Sequence, residues 1–218
     1  RYYDINLNMK ILVLSDTHHD LEKAKRILET GTFDALWHLG DNKSDADNLA
    51  DIFGIETISV MGNCDGVCGN SDYFKIVDLP FGKFYLTHGH VEGVNFDFTR
   101  LYMSALEHGC KCAFFGHTHK VFDEDFNSVR LINPGSLSLP RDGAIGTFAV
   151  IDADEEDFSV TVKNWEEVLR GDFSEAKKTI QESNLEKTSS RQRDEKKVVK
   201  KSAKGGYLRK IMNYSDGQ

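Results

Sequence analysis

Proline is scarce in this chain, three residues in 218, and tryptophan is scarcer at two. So little proline leaves no room for a polyproline linker or a collagen-like repeat. No apolar run approaches the ~20 residues that cross a bilayer as a helix, so no membrane span is expected. Residues 1–8 (Arg-Tyr-Tyr-Asp-Ile-Asn-Leu-Asn) have no apolar core of the secretory kind. They are expected to be a leader left by expression, with the fold starting at Met9-Lys10. Cysteine is limited to Cys64, Cys68, Cys110 and Cys112. A chain of this length has no need of staples, and with no export signal the thiols are expected to be reduced, in the cytoplasm. The spacings Cys64-x3-Cys68 and Cys110-x-Cys112 fit structural zinc poorly.

Excess positive charge is also missing from most of the chain. Residues 171–218 hold 12 Lys and Arg against 7 Asp and Glu, a net of +5, so residues 1–170 carry −13 of a total of −8. An acidic body argues against a lysine-lined nucleic-acid groove and suits a carboxylate cluster that needs cations. With 39% hydrophobic and 28% charged residues, the composition is that of a globular chain able to bury one core.

The first half reads as strand, helix, strand, helix, strand. Lys10 to Ser15 is a continuous apolar run, the pattern of a parallel strand buried on both faces. Leu21 to Thr30 puts Leu21, Ala24, Ile27 and Leu28 on one helical face, with Gly31 as a stop. Ala35 to Leu39 is the second strand. Ser44 to Phe53 is a second helix with Ser44 as its cap and Gly54 after it, and Thr57 to Met61 is the third strand. Thereafter antiparallel pairs dominate. Tyr73–Leu79 and Lys83–Thr87 flank the turn Pro80-Phe81-Gly82, Val121–Phe126 pairs with Val129–Ile132, and Gly146–Asp152 pairs with Phe158–Asn164. A helix over Phe98–Glu107 and a strand over Lys111–Phe115 lie between them. Two sheets packed face to face with helices outside would use all of these elements. Residues 9–170 form one domain, and residues 171–218 an appended helix (Ser174 to Leu185) and a basic, polar tail.

A metal-loving residue follows nearly every one of these strands. Asp16-Thr17-His18 follows the first, Gly40-Asp41 the second and Gly62-Asn63-Cys64-Asp65 the third. His88-Gly89-His90 and Gly116-His117-Thr118-His119 follow two later strands. A single Asp-x-His or Gly-Asp is an ordinary cap or turn. Five in succession set carboxylates, imidazoles and an amide along one rim of a sheet, which is how a chain gathers a cluster for more than one cation. Nitrogen and oxygen donors without thiolate suit Mn, Fe, Co, Ni or Zn, whereas Ca and Mg prefer oxygen alone.

These motifs resemble the calcineurin-like metallophosphoesterase superfamily. Gly-Asn-Cys-Asp, Thr87-His88-Gly89-His90 and Asn133-Pro134-Gly135-Ser136 are similar to its small bacterial and archaeal phosphodiesterases (the YfcE-like type). The resemblance covers residues 9–165 and implies an α/β fold, a four-layer α/β/β/α sandwich with mixed sheets. It implies two divalent ions, Mn2+ foremost, with Asp16, His18, Asp41 and His119 on one and Asp41, Asn63, His88 and His117 on the other. The implied reaction is hydrolysis of a small phosphate ester, a diester in preference to a monoester, by a hydroxide shared between the ions. The alternative is a non-catalytic scaffold binding protein partners, as the retromer subunit resembling this family does; such scaffolds typically lose ligands.

The chain departs from many relatives at Cys64, where a leaving-group acid (His) often stands. A thiol is a poor acid, so the general acid is left open between His90, Cys64 and water. Asp65 is expected to orient the Asn63 loop. His19 and His38 are expected at the surface or in packing, and His108 as a helix C-cap. Ser136 and Arg141 could face the cleft, Arg141 gripping a phosphate. The basic tail leaves nucleic acid, anionic lipid or the acidic body of another subunit in a homo-oligomer open as partners.

Overall fold

Parallel β1 (Met9–Leu14), β2 (Ala35–His38) and β3 (Glu56–Ser59) form the middle and one edge of a five-stranded sheet. Antiparallel β9 (Thr147–Ala153) and β10 (Phe158–Asn164) complete it in the order β10-β9-β1-β2-β3. The second sheet has the order β4-β5-β6-β8-β7. It is built from β4 (Phe74–Leu79), β5 (Gly82–Thr87), β6 (Cys112–Phe114), β7 (Val121–Phe126) and β8 (Val129–Pro134), with β5, β6 and β8 parallel. The computed structural model describes residues 8–66, 72–143 and 145–171. Residues 1–7 of the expected leader, Cys68 and the helix and tail expected beyond residue 171 lie outside the described residues.

Both sheets are buried on two faces, which explains the continuous apolar runs. In β1, Ile11 and Val13 point between the sheets, while Leu12 and Leu14 face the outer helices; the two-residue period of a strand sorts them. The inter-sheet core sets Trp37 edge-on to Phe84 and Phe114 of the second sheet, with centroids 5.4 and 5.6 Å apart, the geometry aromatic pairs prefer. On the outer face of the first sheet pack α1 (Glu22–Thr30), α2 (Lys43–Phe53) and α4 (Trp165–Arg170), through Ala24, Ile27, Leu49 and Val168. On the outer face of the second packs α3 (Thr99–Glu107), through Leu101 and Ala105. The result is the four-layer α/β/β/α sandwich with mixed sheets.

One local expectation needs correction. Ser44 does not cap α2. The helix begins at Lys43, behind Asn42 in a left-handed conformation (φ 76°) that makes no side-chain cap bond. The cap comes from across the chain, because the Asp65 carboxylate accepts the Lys43 N–H at 2.5 Å. Gly31 ends α1 as expected, in extended backbone, its N–H donating to the Ile27 carbonyl at 2.9 Å. The short helix α4 went unforeseen, although Asn164 and Glu167 form a reciprocal capping box at its start. His108 does cap α3, its Nδ1 donating to the Ser104 carbonyl at 2.8 Å.

Candidate metal centre

Every donor singled out in the sequence sits just past the carboxyl end of a strand, where open α/β sheets carry their ligand crevices. The backbone there is strained. Asp16, His18, Asp41, His117 and His119 all have positive φ, between 46° and 66°. That is costly for residues with a Cβ and in general concentrates at functional sites. The glycines preceding two of these loops are there for closeness. A Cβ on Gly62 would lie 2.2 Å from Asp41 Oδ1, and one on Gly116 2.0 Å from Ser15 Oγ.

One ligand atom from each of Asp16, His18, Asp41 and His119 lies within 4.8 Å of the others. Asp16 Oδ2 is satisfied by the Ser15 hydroxyl (2.5 Å) and the His117 N–H (3.1 Å). Its Oδ1 is buried without a hydrogen bond, 3.2 Å from His119 Nε2. His119 Nδ1 donates to the Leu139 carbonyl at 2.8 Å, so Nε2 alone is free to hold a proton or a cation. That nitrogen also lies 3.3 Å from His18 Nε2. Burial raises the Asp16 carboxyl, but His119, His88 and the Ser15 hydroxyl outweigh it and leave the pKa below the ordinary value. Burial likewise lowers His119, and Asp16 and the Leu139 carbonyl reverse it to a net rise.

A second set surrounds His88. Its Nδ1 donates to the Leu39 carbonyl at 2.8 Å, which turns Nε2 toward Asn63 Oδ1 at 3.2 Å and Asp41 Oδ1 at 3.3 Å. A nitrogen lone pair and two oxygens converging in this way are reconciled only by something positive between them. Asp41 joins the sets: Oδ1 faces His88, while Oδ2 lies 3.6 Å from His18 Nε2. The His117 ring is 5.1 Å from that of His88. Its Nε2 is taken by the Asn95 side-chain amide at 2.7 Å, which leaves Nδ1 as its free nitrogen. One cluster, Asp16, His18, Asp41 and His119, thus brings nitrogen and oxygen donors close enough together to hold a divalent cation.

The remaining candidates sort by contact. Asp65 holds the Asn63 turn, accepting from the N–H groups of Gly62 (2.7 Å) and Lys43 (2.5 Å). Burial, then the Asp41 charge, push the exposed Cys64 thiol up to about 11. The His90 ring stands 5.3 Å from that of His88, and burial and His88 lower its pKa. Ser136 does not face the cleft. It is fully buried and its hydroxyl donates to the Asp16 carbonyl at 2.8 Å, bracing that loop. Arg141 is exposed, and its charge opposes protonation of His119. Cys110 and Cys112 are buried and free, apart from the cluster. Sequence reasoning missed Asn95, a lone loop Asn with no motif around it, and Asp45, described below.

The model of the calcineurin-like phosphoesterase superfamily domain matches residues 9–156. The chain belongs to the calcineurin-like phosphoesterase superfamily. It is 26% identical over 170 residues to the phosphodiesterase YfcE of Escherichia coli K12, covering 67% of this chain and 89% of that protein. A solved structure of a predicted phosphoesterase from Streptococcus pneumoniae TIGR4 superposes with a TM-score of 0.58 at 27% identity, over 73% of this chain and 91% of its own. Vps29 of Cryptosporidium parvum shares the fold alone, with a TM-score of 0.56 at 17% identity over 73% of this chain and 98% of its own. The phosphoesterase is thus a hydrolase, and among its described residues no helix is long and apolar enough to cross a membrane.

Proposed function

We propose that this phosphoesterase hydrolyses phosphodiesters or activated phosphate esters at a dinuclear centre held by Asp16, His18, Asp41, Asn63, His88, His117 and His119, with Mn2+ as the working ion. One observation carries the reading: the two oxygens of Asp41 face two different histidines, His18 and His88, one from each donor set. A bridging carboxylate has that arrangement. A pair of divalent cations supplies, when bound, charge neutralisation at phosphorus and a water acidic enough to react near neutral pH.

The chain's own residues do the rest. Asp16 and Asp41 provide the negative charge that draws cations into the cleft. The carbonyls of Leu39 and Leu139 fix the tautomers of His88 and His119, so that each offers Nε2. Arg141 stands at the rim of the His119 side, where its fork could take a phosphoryl oxygen.

The leaving oxygen finds no strong acid. A thiol at about 11 gives up its proton poorly near neutral pH, and burial and His88 lower the pKa of His90. Substrates whose leaving groups need little protonation follow, and the diester name of the YfcE relative points the same way. Free Cys64, Cys110 and Cys112 suit a reducing cytoplasm.

The rival reading is a scaffold that binds protein partners on the fold that Vps29 shares. The donors that converge at Asp16, His18, Asp41 and His119 favour the enzyme. The test is hydrolysis of a bis-nitrophenyl diester against a nitrophenyl monoester in Mn2+, with Asp41→Asn as control. A diester preference abolished by Asp41→Asn is expected. Equal inactivity of wild type and variant would sink the enzyme reading, and a monoester preference would sink the diester one.

A further inference from the structure

Outside the donor set, one buried carboxylate is aimed at the most strained part of the site. Asp45 lies in the first turn of α2 and is 2% exposed. No lysine or arginine pairs with it among the described residues. Its partners all belong to the loop that carries His18. Oδ2 accepts from the Thr17 hydroxyl at 2.6 Å and from the His19 N–H at 2.8 Å. Oδ1 lies 3.2 Å from His19 Nδ1. Asp45 therefore grips the residues immediately before and after His18 and touches none of the metal donors itself.

The grip sits where the backbone needs it. Asp16, His18 and His19 adopt φ of 54°, 46° and 66°, and such a run of left-handed residues persists only when its surroundings over-determine it. The neighbouring hydrogen bonds agree on direction. Thr17 has one hydroxyl proton, given to Asp45, so it accepts from His38 Nε2 at 2.9 Å. His38 is then the neutral tautomer with a bare Nδ1, and that atom is buried without a partner. Burial holds its pKa down to about 4, in keeping with a neutral ring. Asp45 stands in the first turn of α2, where the helix dipole favours an anion. The same helix start carries Asp41, so one short segment sets both Asp41 and, through Asp45, the reach of His18.

We propose that Asp45 is a positioning residue that holds His18 in its ligating geometry and so sets the affinity of one of the two cation sites. This rests on the dinuclear reading above. Carboxylates that orient metal ligands in this indirect way typically govern affinity by about 10–100-fold. An amide at the position keeps the shape but has one acceptor oxygen where two are used.

The experiment titrates Mn2+ alone into the chelator-stripped full chain by calorimetry. Wild type takes up two ions. In Asp45→Asn one affinity falls about 10–100-fold and the other is kept. Thr17→Val, which removes the donor and keeps the shape, weakens the same single site and decides the matter alone if Asp45→Asn fails to fold. Ala105→Gly in α3, which destabilises the domain away from the loop, is the control and leaves both affinities as in wild type. Folded variants that bind both ions as wild type does would overturn the proposal, as would variants that weaken both sites equally. A wild type that takes up no Mn2+ would overturn the dinuclear reading itself, a separate outcome from failure of the clamp.

Discussion

Removing one acceptor from Asp65 tests whether the rim is built by long-range ties. Asp65→Asn keeps the volume, so no cavity contributes. In the native chain one carboxylate accepts the Lys43 N–H, the first of α2, and the buried Gly62 N–H beside Asp41. Asn42 offers no cap bond of its own, so the helix start has no substitute. An amide in place of the carboxylate must point its NH2 at one of these donors. The loss of an N-cap is worth about 1 kcal/mol, and a buried donor left unpaired about 1–3 kcal/mol. Asn keeps one acceptor and loses only one of the two bonds, so the cost is about 1–3 kcal/mol. For a domain of this size each kcal/mol lowers the melting temperature by about 2–4 °C, so a fall of roughly 2–12 °C is expected in the chelator-stripped protein by differential scanning calorimetry. Mn2+ uptake should weaken as well, because the same turn presents Asn63. A melting temperature within a degree of wild type, with unchanged Mn2+ affinity, would refute the reasoning.

Cys64→His restores an acid with a pKa near neutrality beside the cleft. The ratio of rates on poor to good leaving groups should rise several-fold in a series of substituted phenyl esters, and an unchanged ratio would clear Cys64 of the leaving-group role. The metal-free protein should show a stability window set by the Asp16–His119 pair. The Asp16 contribution is present above the unfolded carboxylate value of ~3.9 and lost as pH falls through its lowered folded pKa. The His119 contribution is full below ~6.5 and lost as pH rises through its raised folded pKa. Urea midpoints measured from pH 3 to 9 test this, and Mn2+ affinity should run the other way, rising with pH as His119 Nε2 sheds its proton.

What could be read from the sequence was whatever repeats locally. The buried strands were legible because Ile11 to Leu14 and Ala35 to Leu39 are continuous apolar runs. The donors were legible because each follows such a run at a glycine or an alternating pair. Ties across the chain were not. Ser44 looks like a cap because it precedes an apolar helical pattern, yet the carboxylate that caps α2 stands 22 residues away at Asp65. Asp45 reads as one more acidic residue on a helix, and only the fold brings it under Thr17 and His19. Asn95 meets His117 across 22 residues, with no local sign. The helix α4 is the exception: its capping box at Asn164 and Glu167 is written in the sequence, beside a shift in composition after Trp165.

The central claim is that Asp41 joins two cation sites. The most direct test is the number of Mn2+ ions bound per chain, measured by calorimetry and elemental analysis on wild type and Asp41→Asn, with diester hydrolysis followed on the same samples. The account predicts two ions in wild type, at most one in Asp41→Asn, and loss of hydrolysis in the variant. A wild type saturating with a single ion, or an Asp41→Asn that keeps both ions and its activity, would contradict it.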